Sequence, residues 1–456
     1  MWWCGVGGRG VRGGRVTVRR MSPVMRATSR VGAGRGAGAD RAAGTGEVGG
    51  AQVDGGVDWG VAARVASRAA RPGRGAGRDE LDALVAGLRA AAAPAAEHAA
   101  RVTRLEPADG RAVGEVSRVL VVDRAGWTRA NARMLEVMSS PSSAPSGVDA
   151  PAAADARAEP GSPAGVGVRA ASGAPGASVG PDSSTAGVSD DAAGRRPGHG
   201  ASSAASRLVG GAQLGAVLAV LSSKVLGQFD PFTPPVGAPL SAPGEGRLLL
   251  VAPNVLHLER SLRVEPADFR LWVALHEQTH ALQFAAAPWL AGYLRARSAA
   301  LLGDVVGEGE ESVGRMVAAV GRVLTDDDAS ILDVLSPDQR TVVDEVGAVM
   351  SLLEGHADVA MDAVGRRIVP SVREIRRKFE ARRDSSARAR GPEGVLRRLL
   401  GMDAKLAQYR EGAVFVRAVR SRVGVTGLNA VFAAPENLPR PAEIADPGAW
   451  VRRVHG

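Results

Sequence analysis

Cysteine is nearly absent from this 456-residue chain, with Cys4 the only one. A single thiol closes no intrachain disulfide and builds no Cys-based metal site. Any metal must be held by His, Asp or Glu, and there are only seven histidines. Aromatic residues are scarce at 4% against 59 glycines, a balance that points to low-complexity tracts beside folded sequence. A secretory pattern is missing: Trp2 and Trp3 run into Gly and Arg with no apolar h-region, so a cytoplasmic location is expected. No uninterrupted run reaches membrane-spanning length. Leu208 to Leu226 comes nearest, but Gln213, Ser222, Ser223 and Lys224 interrupt it, and it reads as a buried or amphipathic core helix. No membrane span is expected.

Acidic residues are missing from Met1 to Ala39, where eight arginines stand alone. A second basic run, Arg366 to Arg398, sets twelve Lys and Arg against four acids. The net charge of +9 resides in these two runs, and the remainder is mildly acidic. A basic surface over the whole fold is therefore not implied, and no nucleic-acid partner is expected. The second run mixes acids among its bases and has one aromatic, Phe379, as a solvated helix does.

Composition divides the chain into four parts. Residues 1–55 form a Gly/Arg-rich tail without periodicity, expected to be disordered. Residues 56–138 carry helical patterning, clearest from Asp79 to Arg104, and a short apolar run at Val119 to Val122. Residues 139–206 collapse into Ser, Ala, Gly, Pro and Asp, a linker or insertion with too few large apolar groups to offset ordering entropy. Residues 207–456 carry the chemistry. Arg247 to Leu256 is the best strand candidate, and the chain beyond it reads as helix, with a capping box at Ser336, Pro337, Asp338 and Gln339. The expected fold class is mainly α, α+β at most, with a small β element.

The segment Phe269 to Phe284, FRLWVALHEQTHALQF, is apolar around nearly its whole helical circumference, which marks a buried helix. Its middle nevertheless carries His276, Glu277 and His280. Burying three ionisable groups without partners would cost several kcal/mol, and a divalent cation compensates them directly. Histidines at i and i+4 share one helix face and can reach one zinc ion. Glu277 is rotated off that axis, toward a water on the metal. At this histidine usage HExxH arises by chance in roughly one chain in a hundred or fewer, so the motif carries weight.

A third ligand is needed, and the metzincin continuation is missing because Gln283 and Ala286 stand where its Gly and third His should fall. A second polar insertion in an apolar helix occurs in SLLEGHADVAMDAVG. There Glu354 and Asp358 share a face, whereas His356 points about 200° from Glu354. Glu354 is the favoured third ligand, with His356 and Asp358 the alternatives. With Glu354 on the metal, Asp358 becomes the acceptor behind a ligand imidazole.

HExxH followed by ExxxD resembles the gluzincin branch of zinc metallopeptidases. More closely, HEQTHALQF, LLEGHADVAMDAVG and KLAQYREGAVF together resemble an actinobacterial zincin-like hydrolase family, some members of which are associated with deazaflavin-coenzyme biosynthesis. The resemblance runs with gaps from about Val57 to Val454, skipping the tail and the insertion. It implies a mostly helical zincin-like fold with zinc on His276, His280 and Glu354. The spacing between the second His and the Glu is longer than in ordinary gluzincins.

The expected activity is zinc-dependent hydrolysis of a peptide or amide bond. In that mechanism Glu277 takes a proton from a zinc-activated water and passes it to the leaving amine. Tyr409, in KLAQYREG, is the candidate donor to the oxyanion. The competing expectation is a catalytically silent zincin fold, a binding or assembly module in which zinc is structural. The sequence carries no signature of oligomeric state.

Overall fold

The computed structural model describes residues 57–140, 199–240, 242–307, 336–387 and 402–456. The tail expected over 1–55, and the insertion expected over 139–206 as far as residue 198 apart from its first two residues, lie outside the described residues.

The helices are α1 (Trp59–Ala69), α2 (Arg78–Thr103), α3 (Arg124–Ser139), α4 (His199–Leu221), α5 (Ala252–Leu262), α6 (Pro266–Ala286), α7 (Trp289–Gly307), α8 (Pro337–Val364), α9 (Val372–Ala387), α10 (Met402–Asn429), α11 (Pro441–Ala445) and α12 (Pro447–His455). Three short strands, β1 (Arg118–Val122), β2 (Gly227–Asp230) and β3 (Arg247–Val251), complete a mainly α fold with a small β element. The sheet order is β1-β3-β2, with β1 parallel and β2 antiparallel to β3. The central strand β3 is an almost unbroken apolar run, as a strand covered on both faces must be.

The strand expected over Arg247 to Leu256 stops at Val251, and its second half opens α5. Pro253 cannot donate to a sheet ladder but suits the first turn of a helix. Asn254 then turns inward, donating to Ser222 O at 2.7 Å and Val225 O at 2.6 Å.

Two apolar clusters hold these elements. The smaller joins Ala66 of α1, Trp127 and Ala132 of α3, and Leu218 and Leu221 of α4 with Leu249 and Val251 of β3. The apolar run at Leu208 to Leu226 is thus spent on packing α4 against α1 and α3. No helix among the described residues is long and apolar enough to cross a membrane. The larger cluster gathers Leu84 and Leu88 of α2, Phe269 and Trp272 of α6, Leu352 and Leu353 of α8, and Phe415 and Val416 of α10. Each such side chain fully withdrawn from water contributes about 1.5–3 kcal/mol.

Helix α6 is the axis of this core, packed against α2, α8, β2 and β3. It starts at Pro266 behind Glu265, whose side chain accepts from Asp268 N, and every residue from Trp272 to Phe284 is buried. Helix α8 starts as its sequence predicts: Ser336 Oγ accepts from Gln339 N at 3.1 Å, and Gln339 Oε1 accepts from Ser336 N at 2.9 Å. Midway along α8, Gly355 lies against the backbone of Gly412 on α10 so closely that a Cβ at either position would collide with main chain. That contact seats the turn beside Glu354.

Candidate metal centre

One face of α6 presents both imidazoles. Nε2 of His276 and Nε2 of His280 are 3.2 Å apart, with the rings nearly perpendicular at 89°. Helix α8 delivers the third donor: Glu354 Oε2 lies 3.3 Å from His276 Nε2 and 3.7 Å from His280 Nε2. All three residues are 3% exposed or less. Among the described residues they are the group of His, Cys, Asp or Glu donors that converges as a metal site does.

Where both ring nitrogens are unprotonated, three lone pairs at such separations repel one another unless a cation lies between them. Glu354 Oε1, also buried, has no hydrogen-bond partner. A buried carboxylate without donors is costly, and a shared cation removes the cost. The donor set of two imidazoles and one carboxylate fits a metal ion. Burial pushes the Glu354 carboxyl upward, but the two imidazoles prevail and hold it well below the usual carboxylate range.

Glu277 lies beside this cluster at 1% exposure. Burial pushes its carboxyl up to about 8, assisted by the charge of Glu354 and opposed by His280 and the backbone N–H of Phe229. Neither carboxylate oxygen meets a donor at hydrogen-bonding geometry. Its wall is strand β2, where a Cβ on Gly227 would lie 2.6 Å from Glu277 Cγ and 2.7 Å from Oε1. Gly227 is thus what lets the strand approach the acid, a role invisible along the sequence because it arises only across the fold.

The other expected site residues are placed differently. Asp358 needs correcting: its Oδ1 accepts from Arg376 Nη1 at 2.9 Å, and its Oδ2 faces Arg417 at 4.0 Å. One turn past Glu354 the side chain has reached the half-buried flank of α8, where α9 and α10 supply guanidinium groups. The group behind one of the two imidazoles is instead Gln283, whose Oε1 stands 2.9 Å from His280 Nδ1. A signal for it was present, since a glutamine at i+3 from the second His in a helix apolar all round must find partners. Gln278 answers the same need structurally, donating to Ala92 O and accepting from Ser117 Oγ. His356 is buried beside Gln283, and burial, with His280 and Arg420, lowers it to about 3. It is therefore neutral and stands apart from the converging donors. The side chain of Tyr409 lies outside the described residues; its backbone belongs to α10.

A crystal structure from Chloroflexus aurantiacus, described as "a putative hydrolase with a novel fold", is similar at 27% sequence identity and a TM-score of 0.51, covering 87% of this chain and 98% of that one. No match is found among curated proteins. The zincin-like metallopeptidase family matches residues 57–451, a span that holds both helices of the site, and the chain belongs to that family.

Proposed function

We propose that the protein is a zinc-dependent hydrolase of peptide or amide bonds, with His276, His280 and Glu354 as the zinc ligands and Glu277 as the general base. The observation that carries this reading is the convergence of three buried donor atoms, 3.2 to 3.7 Å apart, beside a second acid with unsatisfied oxygens. Ligands roughly 2.0–2.2 Å from a tetrahedral zinc stand roughly 3.3–3.6 Å from one another, close to this spacing. When bound, zinc supplies Lewis acidity toward a carbonyl and toward water. Glu277 accepts the proton of the attacking water on a carboxylate oxygen and returns it to the leaving nitrogen. Gly227 keeps the space beside that carboxylate free of a side chain. Tyr409, in KLAQYREG, is kept as the candidate donor to the oxyanion on the sequence alone.

Metal content and turnover test this directly. Full-length protein purified without chelator is expected to carry one zinc per chain and to cleave members of a peptide library. Glu277→Gln should keep the zinc and lose roughly 10²–10⁴ in kcat. One zinc per chain with no cleavage by either protein would overturn the hydrolase. That outcome would support the silent module with a structural zinc, a reading favoured by ligands exposed at 3% or less.

A further inference from the structure

Gln283 is fully buried, and its carboxamide touches three groups at once. Oε1 is 2.9 Å from His280 Nδ1, while Nε2 is 2.9 Å from Leu353 O and 3.0 Å from His356 Nδ1. The backbone oxygen of Leu353 decides how this network is protonated. A carbonyl only accepts, so the amide atom facing it must be the NH2 group. The opposite orientation would set two carbonyl oxygens 2.9 Å apart with no proton between them. With the NH2 committed, Oε1 faces His280, and as an acceptor it requires the ring proton on Nδ1. A neutral imidazole has one such proton, so His280 Nε2 is bare where it meets His276 and Glu354. By the same logic His356 Nδ1 accepts, which puts that ring's proton on Nε2.

We propose that Gln283 is the positioning residue of the metal centre. It locks His280 as the Nδ1–H tautomer, so that Nε2 is ready to bind before the ion arrives. Its reference point is the carbonyl of Leu353, the residue preceding Glu354, so one amide ties the α6 ligand to the turn that carries the α8 ligand. His356 completes the amide's bonds without taking part in binding. The inference rests on the reading of His276, His280 and Glu354 as zinc ligands.

The test uses full-length protein labelled with [15N]histidine, with zinc affinity measured by chelator competition. In the zinc-free wild type, nitrogen shifts and two-bond couplings should report His280 as Nδ1–H and His356 as Nε2–H. Gln283→Leu should populate both tautomers of His280 and weaken zinc binding by roughly 10–100-fold. His356→Leu removes a neighbouring partner of the same amide but leaves Leu353 O in place. It should keep the His280 tautomer and bind zinc within roughly threefold of wild type, a split that a merely structural role of Gln283 would not produce. If His280 in the zinc-free wild type carries its proton on Nε2, the proposal fails whether or not Gln283→Leu folds. If His356→Leu scrambles the His280 tautomer, the Leu353 carbonyl is not the reference and the proposal fails. Equal zinc affinity in wild type and Gln283→Leu overturns this inference and leaves the metal reading standing. A wild type that takes up no zinc overturns both.

Discussion

Glu354 and Asp358 are the same functional group one turn apart on α8, yet they do opposite work. Asp358 is 29% exposed and meets Arg376 and Arg417, whose charges are permanent. Its demand is met within the protein, and nothing further is needed. Glu354 is 3% exposed and meets only imidazoles, which carry positive charge conditionally. One of its oxygens has no partner. A buried carboxylate facing groups that need not be charged is incomplete by itself, and that incompleteness is what a metal site is made of. The lesson concerns the facing helix: α9 and α10 offer guanidinium groups and neutralise the acid, whereas α6 offers ring nitrogens, a donor set that fits a metal ion.

The sharpest way to break this comparison is to exchange the fates of the two acids. Glu354→Gln removes the anionic donor and should abolish stoichiometric zinc uptake, while Asp358→Asn should retain one zinc per chain; metal analysis of both proteins decides. Equal loss in both would erase the contrast. Chelation should act on the same side. Stripping zinc removes a ligand that binds only the folded state, worth about 4 kcal/mol when free zinc stands at a thousand times Kd. The melting temperature should fall in wild type and stay unchanged by chelator in Glu354→Gln.

A third carboxylate sharpens the guanidinium side. Glu443 on α11 is 8% exposed at its side chain and is held by Arg453 through bonds of 2.7 Å to each oxygen. Burial raises its pKa, but Arg453 and the Arg440 backbone N–H prevail and keep it below its ordinary value of 4.5. A depressed carboxylate stabilises the fold above the unfolded-state value and loses that contribution as pH falls through the folded one. Glu443→Gln should therefore cost about 2 kcal/mol at neutral pH, between the exposed and fully buried cases. It should also flatten the decline in stability below about pH 4.5, as urea unfolding across pH would show. The smallest effect is expected from the half-exposed pair: Asp358→Asn should cost about 1 kcal/mol or less, shrinking in high salt.

The contrast also separates what could be read early from what could not. HEQTH in an apolar helix was legible because helical periodicity alone puts His276 and His280 on one face. The capping box at Ser336 was legible for the same reason, since its partners are three residues apart. Glu354 was reached by asking where a second buried acid could come from, across a gap the chain does not explain. Asp358 was misassigned because i and i+4 spacing gives a face and says nothing about which helix faces it. Gln283 was passed over as an element missing from another motif, although a buried amide at that place demanded partners.

Short-range physics settled by residue order therefore determined the capped start of α8, the buried helical character of α6 and the pairing of two histidines on it. Only the tertiary structure decided which acid joins them, which acid is taken by arginine, and that β2 comes close enough to Glu277 to require Gly227. Periodicity acts within one helix, whereas the partner of a buried charge is chosen by whatever the packing of other elements brings within about 4 Å.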